Sequence, residues 1–310
     1  MTRDATTAFA RALVDEWARA GLSDACIAPG SRSAPLALAL AADDRIRVHV
    51  HVDERSAAFF ALGTAKGSGR PGLVLCTSGS AAAHFHAAVL EAHHGRAPLI
   101  VCTADRPPEL RDTGAGQTID QVGLYGGAVR WHCDAGVPED LPGVGAAWRA
   151  IASRAVAEAN GPPSGPVHLN LPFREPLVPT GAPLVDAPGR AGGRVWTHVV
   201  PPDRHPGEDT IERVTAAVAA QARGVVVAGW GAGVTAATAQ RFAAAAGWPV
   251  VADPISALRS GDLAVSTYDP LLRNPAFATA HVPDLVVRAG AAPTGKPANQ
   301  VLLSPEVPQL

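Results

Sequence analysis

Ala25-Cys26-Ile27-Ala28-Pro29-Gly30-Ser31-Arg32-Ser33 is a four-residue apolar run that breaks into a polar turn at a proline and a glycine. A run this short, bounded by turn residues, reads as a buried strand. The pattern then repeats. Val48 to Val52 gives way to Asp53-Glu54-Arg55, Leu73 to Cys76 to Thr77-Ser78-Gly79-Ser80, and Leu99 to Thr103 to Asp105-Arg106-Pro107. Alanine-rich stretches of helical character separate these runs. Strands alternating with helices predict a parallel sheet covered by helices, because parallel neighbours need a crossover and their apolar runs must be buried on both faces.

Upstream, Phe9, Leu13 and Trp17 recur at helical spacing within Thr7 to Ala20, and Gly21 sits where a helix ends in the left-handed conformation. Downstream, Arg174 to Pro206 is dense in proline and glycine and lacks periodicity, which suits an extended connection. Helices at Asp209 to Gln221 and Thr235 to Ala246, with strands at Val225 to Ala228, Val250 to Ala252 and Leu285 to Val287, predict a second, smaller α/β unit. The expected organisation is a first domain over 1–180, a linker over 181–206 and a second domain over 207–310.

Composition narrows the function classes. The 310 residues carry 47% hydrophobic and 17% charged residues and a net charge of −2, a folding composition without the field that gathers nucleic acid or anionic lipid. The start of the chain, Met1-Thr2-Arg3-Asp4, has no apolar core behind its charge, and no stretch reaches the roughly 18 apolar residues of a membrane span. A cytoplasmic protein is expected. Cys26, Cys76, Cys102 and Cys133 lack paired spacing, so buried reduced thiols are expected rather than a zinc or redox site.

In an open parallel sheet, ligands bind beyond the carboxyl ends of the strands. The four polar turns therefore converge on one rim. Taken singly, each turn is explained by helix capping, since Ser and Asp are ordinary N-cap residues. Asp53 and Glu54, taken as the end of a strand, would point to opposite sides, leaving one acid in the crevice.

The segments P-G-S-R-S-A-P, H-V-D-E-R, C-T-S-G-S-A-A-A, A-D-R-P and T-G-A-G-Q-T-I-D-Q stand in this order over residues 29–121. Their order and intervals resemble those of the MenD family of thiamine-diphosphate enzymes, over essentially all of residues 8–300. The resemblance implies an α/β fold of two parallel-sheet domains, a pyrimidine-binding domain and a central domain, without the diphosphate-binding domain. It implies decarboxylating carboligation of 2-oxoglutarate to isochorismate, giving 2-succinyl-5-enolpyruvyl-6-hydroxy-3-cyclohexene-1-carboxylate in menaquinone biosynthesis. The cofactors implied are thiamine diphosphate and Mg²⁺ or Mn²⁺, and the full-length form would be a homodimer or homotetramer.

By that resemblance Glu54 is the catalytic acid that hydrogen-bonds the aminopyrimidine ring, with Ala57, Phe59 and Phe60 as a dry wall. Pro29, Thr77, Ser78 and Gly79 would border the cofactor. Ser31, Arg32, Arg106, Gln117 and Lys296 would hold substrate, the two arginines because a guanidinium fork matches a carboxylate. Gly116 stands where many relatives have Asn.

The G-D-G and later Asn that hold the metal in this family are absent; Gly261-Asp262-Leu263 is the nearest approach and reads as a turn. No metal ligand is therefore expected in this chain, which by itself would be inactive and would expose apolar area at the rim. Two alternatives stand beside this reading, a cofactor-free binding or regulatory fragment using Arg259 and Arg288, and another thiamine-dependent carboligase of the acetolactate-synthase kind. Gly229-Trp230-Gly231-Ala232-Gly233 lacks the spacing of a dinucleotide fingerprint, and its glycines are expected to serve tight packing. His84, His86, His93 and His94 are expected to be surface or satisfied core histidines.

Overall fold

The computed structural model describes residues 3–200 and 205–310; Met1, Thr2 and the part of the expected linker at 201–204 lie outside the described residues. The chain divides into two compact units, Met1–Pro202 and Asp203–Leu310.

The first unit is built on a six-stranded sheet of order β2-β1-β3-β4-β6-β5, all parallel. Its strands are β1 (Asp24–Ile27), β2 (Arg47–Val50), β3 (Gly72–Cys76), β4 (Leu99–Asp105), β5 (Trp131–Asp134) and β6 (Pro166–Pro172). The helices are α1 (Ala5–Arg19), α2 (Ala34–Ala41), α3 (Glu54–Ser68), α4 (His86–His94) and α5 (Val144–Asn160). Strand alternation sorts them to two faces. Ala25, Ile27, Leu73, Leu75, Ile100, Cys102, Val167 and Leu169 join Phe9, Leu13, Trp17, Leu36 and Trp148 of α1, α2 and α5 in one core. Cys26, Val74, Cys76, Leu99 and Val101 join Ala57, Ala61, Leu62 and Val89 of α3 and α4 in the other.

On that second face the alternation turns polar toward the strand ends. Thr103 and Asp105 continue the row of Leu99 and Val101, while His168 and Asn170 alternate with the apolar Val167, Leu169 and Leu171 of β6. All four are buried. Parallel pairing sets Thr103 opposite Asn170, which places a polar layer directly beneath the rim.

The sheet also has two strands, β5 and β6, that the run of apolar residues does not announce. Two expectations need correction. The strand expected to reach Val52 ends at Val50, because its neighbour β1 stops at Ile27 and His51 makes the last pairing bond, N–H to Ile27 O at 3.0 Å. Val52 is then 91% exposed. Asp53 and Glu54 consequently do not end a strand; Asp53 is the N-cap of α3, its carboxylate accepting from Ser56 N, and Glu54 is the first helical residue.

Residues of the expected linker are tied to the first unit. Arg19 donates to Arg190 O and Arg194 O, and Arg149 donates to Ala187 O at 3.1 and 2.9 Å. Glu16 accepts from the Trp196 backbone N–H.

The second unit has a three-stranded parallel sheet, β8-β7-β9, formed by β7 (Gly224–Ala228), β8 (Val250–Ala252) and β9 (Leu285–Ala289). Around it run α6 (Glu208–Ala219), α7 (Ala236–Ala246), α8 (Tyr268–Arg273), α9 (Pro275–Ala280) and α10 (Lys296–Val301). Val225 and Val227 pack toward Tyr268, Leu272, Ala298 and Leu302, whereas Val226 and Ala228 pack toward Ala239 and Ala243 of α7. Of the glycines after β7, Gly229 serves packing, against backbone rather than a helix, while Gly233 has φ +70° and open space around it. A Cβ on Gly229 would lie 1.8 Å from Ala291 O, and Ala291 N donates back to Trp230 O. Gly261 occupies a turn with φ +92°.

Candidate functional site

The rim of the first unit is made by the residues following β1, β3 and β4, by the start of α3, and by the 111–122 loop. Gly30 lies against Thr77, since a Cβ there would come 2.4 Å from Thr77 Cβ. The turn after β1 and the turn after β3 are therefore in direct contact. Ser33, buried, donates to Gly30 O and closes the first turn. Pro29 and Ser31 remain exposed on its outer side.

The turn after β3 holds Thr77 and Ser78, both buried, with Thr77 Oγ1 and Ser78 Oγ lacking any hydrogen-bond partner among the described residues. Buried hydroxyls without partners are uncommon and mark positions where a ligand or water completes the set. Gly79 has φ +85°, a conformation glycine adopts without cost, and its missing side chain leaves room for Gln117, whose Cγ would be 2.9 Å from a Cβ there. Gln117 itself has φ +58° and donates from Nε2 to Ser78 O at 3.0 Å. The 111–122 loop thus folds onto the turn after β3.

Asp53 caps α3, which holds its carboxyl below the usual range through the Ser56 N–H. Glu54 is left half-buried on the first helical turn with no hydrogen bond or ion pair among the described residues. Its charge reaches Cys76, whose thiol is pushed well up, first by burial and then by Glu54. Glu54 opens the helix that packs on β3, the strand that Thr77 and Ser78 follow. The dry wall expected around it is only partly formed. Ala57 is buried, but the helical period turns Phe59 and Phe60 outward, where Phe60 packs on the rings of His49 and His51 at 4.9 and 4.8 Å.

Of the two arginines, Arg32 is buried, donates to Phe173 O at 2.8 Å and faces Glu175 Oε1 at 3.4 Å. Its pKa is lowered by burial and then by the neighbouring charge of Arg106. Arg106 is half-buried, its guanidinium free of hydrogen bonds among the described residues and its Nε unpartnered. Two guanidiniums sharing one corner, one of them uncommitted, form a place for an anion. Lys296 is exposed at the start of α10 in the second unit; Ser31, Arg32, Arg106, Gln117, Glu54 and Thr77 to Gly79 all belong to the first.

Sequence reasoning missed the layer beneath the rim. Asp105 is fully buried and accepts from Arg106 N (2.7 Å), Arg111 (3.1 Å) and Asn170 Nδ2 (2.9 Å). Thr103 joins His168 and Asn170. The signal was present in Pro166-Val167-His168-Leu169-Asn170-Leu171, where polar and apolar residues alternate strictly. Among the described residues no group of three or more His, Cys, Asp or Glu is arranged to hold a metal ion. His93 Nδ1 is within hydrogen-bond distance of Ala128 O.

Residues 7–124, which contain the whole rim, match the family described as thiamine pyrophosphate enzyme, N-terminal TPP binding domain. The chain is 51% identical over 92% of its length to a 2-succinyl-5-enolpyruvyl-6-hydroxy-3-cyclohexene-1-carboxylate synthase of Thermobifida fusca, covering 50% of that protein. It is 46% identical to the synthase of that name from Haloarcula marismortui over 96% of its length and 54% of the relative's. The Geobacillus kaustophilus synthase is 43% identical, with 95% and 52% covered. The chain spans about half the length of the curated relatives it matches. Residues 7–124 therefore carry the N-terminal domain of the thiamine-diphosphate enzyme family, and the chain as a whole is similar to about half of the 2-succinyl-5-enolpyruvyl-6-hydroxy-3-cyclohexene-1-carboxylate synthases.

Proposed function

We propose that this chain supplies the aminopyrimidine-binding half of a synthase that decarboxylates 2-oxoglutarate and joins the remaining four-carbon unit to isochorismate. The observation that carries the reading is that α3, packed on β3, begins with the uncommitted carboxyl of Glu54, while β3 is followed by the unpartnered buried hydroxyls of Thr77 and Ser78. An aminopyrimidine presents a ring nitrogen and an exocyclic amine, and a carboxyl and two hydroxyls are a donor set that fits them.

Bound thiamine diphosphate supplies a carbon nucleophile that accepts the charge released by decarboxylation. The chain's own part would be to hold a proton at Glu54 for the pyrimidine ring nitrogen. The turn at Gly30, packed on Thr77, would fix the turn whose two hydroxyls would hold the ring. Arg106 takes a substrate carboxylate through its free guanidinium, while Arg32, already engaged with Phe173 O and Glu175, contributes charge and the stiffness of the corner. Gln117 offers its amide at the same rim. Ser31 and Pro29 border the opening.

The diphosphate and its Mg²⁺ or Mn²⁺ fall to the part of the relatives that this chain does not match. Val52, Phe59, Ile119 and Val122, all exposed near the rim, support a second polypeptide surface over it, as in a dimer or tetramer acting in the cytoplasm. Among the described residues no helix is long and apolar enough to cross a membrane.

The test joins these 310 residues to the remaining half of the Thermobifida fusca relative and measures Mg²⁺-dependent thiamine diphosphate binding by calorimetry, with turnover of 2-oxoglutarate and isochorismate. Glu54→Gln is expected to remove turnover. Undiminished turnover in that variant sinks the assignment of the acid, and turnover of pyruvate in place of 2-oxoglutarate turns the reading to an acetolactate-type carboligase.

A further inference from the structure

Gln121 is fully buried, and its side-chain amide is bonded in three directions. Oε1 accepts from Gly79 N at 2.7 Å, while Nε2 donates to Ala104 O at 3.1 Å and to Asn170 Oδ1 at 3.2 Å. Each of these partners belongs to a different part of the rim's foundation. Gly79 ends the turn that holds Thr77 and Ser78. Ala104 precedes Asp105 and Arg106. Asn170 anchors Asp105 and Asp134 from β6 at 2.9 and 3.0 Å. Gln121 itself closes the loop that carries Gln117.

No other residue type of this size does the same work. The amide must accept on one side and donate on the other, because Gly79 N–H is a donor while Ala104 O and Asn170 Oδ1 are both turned toward Gln121 as acceptors. Burial makes the match costly to break, since an orphaned N–H or carbonyl has no water to turn to.

We propose that Gln121 is a positioning residue, which fixes the Ser78–Gly79 turn, the Arg106 turn and the Gln117 loop in one register through its buried amide. The inference rests on the reading of the rim as a cofactor and substrate site, but its first test does not.

In the 310-residue chain, hydrogen exchange of the Gly79 amide is compared between wild type and Gln121→Met, which keeps the volume and removes both polar functions. Gly79 exchange is expected to speed up at least about tenfold while Val74 and Leu75 keep their protection. Unchanged Gly79 exchange, or equal acceleration throughout the sheet, overturns the proposal.

The second test uses the joined synthase and Gln121→Glu. A carboxylate at 121 would face Ala104 O and Asn170 Oδ1, with Asp105 of β4 and Asp134 of β5 adding negative charge, Arg106 and Arg111 opposing it, and His168 of β6 nearby. Burial among acceptors raises the pKa of such a carboxyl, and its protonated form restores a donor. The KM for isochorismate is therefore expected to rise about tenfold at pH 8, with kcat changing less, and to return toward wild type as the pH falls to 6. A wild-type-like KM at pH 8, or an equal loss at both pH values, overturns it. An inactive wild-type synthase with Gly79 protected only when Gln121 is present leaves the positioning role standing and removes the proposed reaction alone.

Discussion

Glu16 of α1 and Arg149 of α5 form a buried ion pair, 0% and 4% exposed, the guanidinium Nη1 lying 3.0 Å from Oε2. The other carboxylate oxygen accepts from Ser153 Oγ at 3.0 Å and from the Trp196 backbone N–H, so the pair also fastens the 187–196 segment. Removing one partner leaves a buried charge without compensation, which costs about 3–5 kcal/mol. Arg149→Met is expected to lower unfolding stability by that order in denaturant titration, and Glu16→Gln in the same background to recover part of it. A loss under about 1 kcal/mol for the single variant contradicts the burial of the pair.

Acid should unfold the first unit in two stages. His168 is held neutral, its pKa lowered to about 3, by burial and then by His132. Between that value and the unfolded pKa of about 6.5, the unfolded chain binds a proton that the folded chain does not. The stabilisation is complete above the unfolded value and fades as the pH falls toward 3. Burial pushes the Asp15 carboxyl up, but hydrogen bonds from Arg45, Arg19 and Arg149 outweigh it and hold the pKa at about 2. Its contribution is complete above the ordinary value of 3.8 and is lost toward 2. His168→Gln is expected to flatten the upper window, read as the slope of unfolding free energy against pH, and to leave the lower one in place.

Two glycines with opposite surroundings separate space from backbone freedom. Gly63 lies inside α3 with nothing within 4 Å of an added Cβ, so Gly63→Ala should stabilise by about 0.5–1 kcal/mol. Gly229→Ala would drive a methyl into Ala291 O and is expected to destabilise by roughly 1–3 kcal/mol. Thermal melting of both variants decides the matter, and a melting temperature raised by Gly229→Ala goes against the close packing of the 229–233 and 290–295 loops.

Thiol labelling offers a third measure of the core. Burial pushes the Cys26 thiol up to about 12 and the Cys76 and Cys102 thiols well up. Cys133 is only half-buried, and its thiol is raised by burial and by Asp134. A thiol-specific reagent at pH 8 is expected to label Cys133 first and the other three only with unfolding. Fast native labelling of Cys76 is the outcome that excludes the packed state of β3 beneath Glu54.

Much of the fold was legible because buried parallel strands are short apolar runs, and β1, β3 and β4 of the first sheet are of that kind. The helix expected at Thr7 to Ala20 spans Ala5–Arg19, and that at Thr235 to Ala246 spans Ala236–Ala246. Strands β5 and β6 escaped notice for one physical reason: they carry the polar layer, and Trp131-His132-Cys133-Asp134 and Val167-His168-Leu169-Asn170 alternate rather than run apolar. The same fact hid Gln121, Asn170 and Asp105 as the support of the rim. Pairing across strands makes a buried asparagine satisfiable, and no local pattern encodes which strands will pair. The strand drawn to Val52 erred because the length of an edge strand is set by its single neighbour.

Asp53 and Glu54 differ by one carbon and one step along the chain, yet the helix start makes them unequal. The shorter acid is consumed by the backbone of Ser56, and that frees its neighbour from any duty at the helix end. Exchanging them, as Asp53→Glu with Glu54→Asp, would preserve composition and net charge. It would also give the cap to a residue that caps poorly and draw the free carboxyl back by one methylene from the end of β3. Within this pair, chemical identity is carried by order alone.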